Sequence, residues 1–111
     1  MGKVDCPAEW KPHPHFPRVF LKPLITSEIN PELTLSLVRL EPGGEIPPHT
    51  HAQSTETVYV LSGRGMCRIG SEEFNLEPGV CCYAPPDMTH LVCNTGDSVL
   101  EAISIFNPPL T

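Results

Sequence analysis

A chain of 111 residues with 14 Pro and 8 Gly has room for one domain and little for long helices, because breakers recur along its whole length. Its formal charge of −6, from seven basic and thirteen acidic side chains, comes without any Lys/Arg cluster, which argues against nucleic acid as a partner. No apolar run approaches the roughly 20 residues that span a bilayer, and Met1-Gly2-Lys3-Val4-Asp5-Cys6-Pro7 lacks the features of a secretory or myristoylation signal, so the expectation is a cytoplasmic protein with no membrane partner.

Residues 1–17 hold four prolines and the single Trp and read as an extended arm without a core of its own. His13 and His15, in Lys11-Pro-His-Pro-His-Phe-Pro17, are read as part of that solvated arm. Residues 18–111 form the domain proper. Strand signals follow at Arg18–Thr26, Leu33–Glu41, Thr57–Leu61, Gly65–Ile69, Glu73–Leu76, Val80–Ala84, Leu91–Cys93 and Val99–Phe106, separated by turns rich in Gly, Pro, Asn and Asp. About eight short, closely spaced strands imply an all-β sandwich or barrel. Cys67, Cys81, Cys82 and Cys93 fall inside these strands and read as small hydrophobes. With Cys6 they make an odd number without metal spacing, which suits a reducing compartment.

The chemistry gathers at His49-Thr50-His51, Glu56 and His90. Side chains at i and i+2 of a strand share a face, so His49 and His51 can meet one cation. Glu56 begins the strand that returns, and His90 arrives from a distant one. Three imidazoles and a carboxylate suit Fe, Mn, Ni, Co, Cu or Zn as a divalent ion and suit Ca poorly. Four protein ligands leave positions for water or substrate if the ion is five- or six-coordinate.

Residues 43–63, GGEIPPHTHAQSTETVYVLSG, resemble the first cupin motif: Gly43, His49, His51, Glu56 and Gly63 stand at its spacing with none missing. Residues 70–94 resemble the second motif through Gly70, Pro78-Gly79, Pro85-Pro86, His90 and Asn94. The spacing at Pro78-Gly79 departs from many members and affects only a turn. The resemblance implies a small single-domain cupin, a jelly-roll (double-stranded β-helix, RmlC-like) barrel. It also implies one divalent transition metal held by His49, His51, Glu56 and His90 in the barrel mouth, and a homodimer.

Strand parity extends the reading. If Glu56 faces inward, so do Val58 and Val60, and His90 carries Val92 and Asn94 with it. On the last strand Leu100, Ala102, Ser104 and Phe106 are assigned inward. Arg39, Val58, Val92, Ser104 and Phe106 are therefore the candidate substrate-pocket residues, and Glu56, Tyr59 and Tyr83 the candidate acid/base groups. Arg64 and Arg68 read as surface charges. Small cupins that open unsaturated uronates look similar but end in Asp-x-Phe-Ser-Pro-x-Arg. Here Ser104 and Leu110 replace the Asp and the Arg, which argues against that activity. The reading is a metal-dependent enzyme acting on a small oxygenated substrate, its reaction type open. The alternatives are a non-catalytic ligand-binding cupin and a metal-stabilised structural dimer. Outward placement of Leu61, Cys67, Ile69, Val99, Ile103 and Ile105 would leave one sheet apolar on both faces, which a homodimer with the arm lying on the partner would cover.

Overall fold

A computed structural model describes residues 2–5 and 9–110, so Cys6 and the rest of 6–8 lie outside the described residues, as do Met1 and Thr111. Among the described residues ten strands are formed: β1 (Lys11–Pro12), β2 (Val19–Ile25), β3 (Thr34–Leu40), β4 (Glu45–His49), β5 (Thr55–Ser62), β6 (Gly65–Ile69), β7 (Glu72–Leu76), β8 (Cys81–Ala84), β9 (His90–Cys93) and β10 (Leu100–Asn107). They build two antiparallel sheets, ordered β1-β2-β3-β10-β5-β8 and β4-β9-β6-β7. The fold is the all-β jelly roll expected.

Two strands go beyond the sequence reading. β4 contains Pro47-Pro48, residues that cannot donate to a ladder. It forms because it is an edge strand, paired only with β9, with an irregularity between Ile46 and His49. β1 is two residues of the arm, Lys11 and Pro12, paired with Leu21 and Phe20. The described arm therefore lies on its own barrel. Trp10 stacks over Arg39, whose Cζ is 4.1 Å from the ring centroid, and Phe16 packs against the core.

Between the sheets lies the core: Val19, Leu40, Val60 and Leu100 from the larger sheet, Cys67 and Leu76 from the smaller. Burying each such aliphatic side chain contributes roughly 1.5–3 kcal/mol. Cys67 and Ile69, expected outside, face inward, because β6 turns Met66 and the exposed Arg68 to its other side instead. Cys81 is exposed while Cys82 on the opposite face is half-buried. The rest of the expected outward set stands: Leu61 and Val99 are exposed, and register places Ile105 and Ile103 opposite Leu35 and Leu37, on the same outer face as Tyr59.

Asn94 fastens the β9–β10 turn to the barrel. Its Nδ2 donates to the carbonyls of Leu40 and Ser98, each at 2.8 Å, and its Oδ1 accepts the Gly96 N–H at 2.9 Å. Gly63 has φ +87°, and a Cβ there would collide with the Val99 carbonyl.

Candidate metal centre

His49 and His90 are register partners across β4 and β9, which sets their rings side by side with centroids 4.1 Å apart. Glu56 projects from β5 of the other sheet. His51 lies beyond the end of β4, in a loop held at both ends: its carbonyl accepts the Asp87 N–H at 2.8 Å, and Ser54 Oγ donates to the Pro108 carbonyl at 2.6 Å. One ligand atom from each of His49, His51, Glu56 and His90 lies within 4.8 Å of the others.

The protonation pattern of this cluster suits a cation. His49 Nδ1 is 2.7 Å from the Pro47 carbonyl and His90 Nδ1 is 2.9 Å from that of Met88. A carbonyl only accepts, so each Nδ1 carries the proton and each neutral ring turns its Nε2 lone pair to the cluster. His90 Nε2 then stands 3.0 Å from Glu56 Oε1. Two acceptors at that distance need a positive charge between them, either a proton on His90 or a metal ion. His51 Nε2, 3.6 Å from the same oxygen, is buried without a hydrogen-bond partner. An orphaned buried nitrogen costs free energy unless something binds it. The donor set thus fits a divalent transition metal.

Burial alone would raise the Glu56 pKa, but the rings of His51 and His90 and the Ser104 hydroxyl, donating to Oε2 at 2.7 Å, hold it at about 2. Burial lowers the pKa of His49. It would lower that of His90 too, but the adjoining Glu56 carboxylate raises it. Two of these effects keep the carboxylate ionised and His49 neutral, the states that coordinate metal, and the third favours a proton on His90 that a bound cation would replace.

Above the cluster opens a mouth of about 310 Å³ lined by Ser36, Thr50, Ser104, Phe106 and Leu110 together with His49, His51 and Glu56. Phe106 meets His51 edge to face at 5.0 Å. Five expected residues do not line this mouth. Arg39 turns out of the barrel, because β3 spends its inward positions on Ser36, Val38 and Leu40, and its Nε donates to Glu101 Oε1 at 2.6 Å. Tyr59 and Tyr83, 44% and 63% exposed, share one side of β5 and β8, and Tyr83 also borders the small chamber lined by His49, Glu56 and His90. Val58 and Val92 line two small, mostly apolar chambers of about 40 Å³ that also border Glu56, one of them His49 and His90 as well. Arg64 pairs with Glu77 at 3.0 Å on the surface, and Arg68 is exposed.

Sequence reasoning missed the arm's contribution. His13, Phe16 and Leu21 also line the mouth, and the His13 ring is half-buried against Phe16. The available signal was Phe16, a large apolar side chain that an arm lying free in solvent would leave exposed.

The fold and this cluster define a cupin. The Cupin_2 family model, described as a cupin domain, matches residues 36–106, and the chain belongs to that family. Uncharacterized protein MJ1618 of Methanocaldococcus jannaschii is 30% identical over 92 residues, covering 83% of this chain and 72% of that protein. Polyketide synthase CurC of Streptomyces cyaneus is 33% identical over 90 residues, 81% of this chain and 56% of that protein. The chain spans about two-fifths of the length of the germin-like proteins it also matches. Among solved structures, the polyketide cyclase RemF from Streptomyces resistomycificus superposes with a TM-score of 0.81 at 18% identity, over 96% of this chain and 79% of that one. At that identity the likeness shows the fold.

Proposed function

We propose that the chain is a metal-dependent cupin enzyme acting on a small, neutral, oxygenated substrate that enters the barrel mouth. The observation carrying this reading is the composition of the mouth. Apolar side chains and hydroxyls surround four metal donors, and among the described residues no Lys or Arg lines it. An anionic substrate ordinarily meets an Arg clamp; Leu110 and Ser104 offer none. The names of CurC and RemF, a polyketide synthase and a polyketide cyclase, support an oxygenated, largely apolar substrate class. A bound Fe, Mn, Ni, Co, Cu or Zn ion supplies Lewis acidity or, for a redox-active metal, O₂ chemistry. Ser104 orients Glu56, the carboxylate placed to take a proton from a ligand. In the test, protein purified without added metal should carry about one transition metal per chain and lose it in His49→Ala and His90→Ala. The loaded protein should transform a member of a panel of diols, enols and β-diketones. Full loading with every panel member returned unchanged and no oxygen consumed would overturn the enzyme reading in favour of a ligand-binding cupin.

Homodimerisation is part of the same reading. Leu35, Leu37, Ile103 and Ile105 form a continuous stripe on the outside of the larger sheet, an apolar surface that a second copy would cover. Sedimentation at micromolar concentration should give twice the chain mass, and Ile103→Lys should halve it; a wild-type monomer would refute the dimer and leave the enzyme reading standing.

A further inference from the structure

One wall of the mouth comes from the arm. After β1 the His13 N–H donates to the Val19 carbonyl at 2.8 Å, so the arm stays on the barrel up to this residue. The chain then folds back and the His13 ring stacks on Phe16, centroids 4.4 Å apart and planes 20° from parallel. Phe16 itself packs on the core. His13 Nδ1 accepts the backbone N–H groups of His15 at 3.1 Å and Phe16 at 3.3 Å. A ring nitrogen that accepts two N–H groups carries no proton, so in the neutral imidazole Nε2 bears it and is a donor. Burial, and then the nearby His15, lower the His13 pKa and favour that neutral ring. The ring borders the same cavity as His49, His51, Glu56 and Ser104. It is thus a fixed, neutral imidazole that borders the cavity of the metal donors without belonging to them.

We infer that His13 is a ligand-binding residue: its Nε2–H donates a hydrogen bond to an oxygen of a neutral chelating ligand, a vicinal diol or enol, whose other oxygen is directed at the His49, His51, Glu56 and His90 donors. This rests on the proposed metal-dependent function. The arm is then part of the binding site, and the ligand must present two oxygens, one toward the four-residue cluster and one toward His13. His15, exposed and outside the mouth, has no such role.

Two substitutions separate binding from folding. Asn places Oδ1 where His has Nδ1, so His13→Asn keeps an acceptor for the two N–H groups and removes the distal donor. Gln extends an amide N–H₂ toward the Nε2 position, so His13→Gln restores it. Calorimetric titration is performed first with cobalt(II) and then, anaerobically, with catechol on the cobalt-loaded protein. Wild type, His13→Asn, His13→Gln and His15→Ala should take up cobalt equally. Catechol should bind His13→Asn about three- to tenfold more weakly than wild type, the loss of one neutral hydrogen bond, while His13→Gln and His15→Ala stay within about twofold of wild type. Equal catechol affinity in wild type and His13→Asn, or no catechol binding to loaded wild type, would overturn the assignment while leaving the metal site intact. Failure of wild type to take up cobalt would overturn the metal reading and this assignment with it.

Discussion

Glu56 is charged although largely shielded from solvent, and the groups that keep it so make it a pH-sensitive element of the metal-free protein. Its folded pKa of about 2 lies below the ordinary 4.5, so its stabilising contribution is complete above pH 4.5 and disappears as pH falls toward 2. Chemical denaturation of metal-free wild type and Glu56→Gln should therefore give stabilities that differ at pH 6 and converge across that window. A constant difference down to pH 2 would contradict the carboxylate's assigned partners. Asn94 invites a simpler test, since Asn94→Ala strands the carbonyls of Leu40 and Ser98. A loss of about 2–4 kcal/mol is expected by urea denaturation. Single residues differed in how far the sequence could be read. The four metal donors were legible because a cation imposes spacing on its ligands. Arg39 was misread because Leu35 and Leu37 beside it are apolar although that face of the sheet is turned outward, so alternation did not distinguish the two sides of β3. His13 was hidden because its surroundings exist only once the arm has folded back.

At the level of strands, most of the barrel could be read from turn chemistry and alternation, and β4 could not. Pro47 and Pro48 argue against a strand unless it is known to lie at an edge, and that depends on the order of the whole sheet. Gly63 shows how little freedom the motif turn has: a positive φ and the nearby Val99 carbonyl both oppose a side chain. Gly63→Ala should cost about 2 kcal/mol or more, measurable as a lowered thermal midpoint, whereas Gly79→Ala meets no neighbour within 4 Å and bears only the strain of its φ of +93°. The arm offers its own reporter, since Trp10 is the only tryptophan and stacks on Arg39. Arg39→Ala should shift its fluorescence to longer wavelength as the ring gains contact with water. An unchanged spectrum would show that β1 alone holds the arm.

For the molecule as a whole, metal and fold are thermodynamically linked, because a cation that binds only the folded chain adds RT ln(1 + [M]/Kd) to its stability. Free metal at about 100 times Kd should add about 2.7 kcal/mol, a rise of roughly 10 °C or more in thermal midpoint for a chain of this size, and EDTA should reverse it. His51→Ala should weaken the effect, because one of the four donors is then missing. The four donors also have a mechanical meaning. His49 and His90 stand on the smaller sheet and Glu56 on the larger, so a cation gripped by all of them rivets one layer of the sandwich to the other at its open end. Hydrogen exchange should register this as slowed amide exchange appearing together in β5 and β9, strands that share no hydrogen bonds, with the closed end around Leu76 and Leu100 little altered.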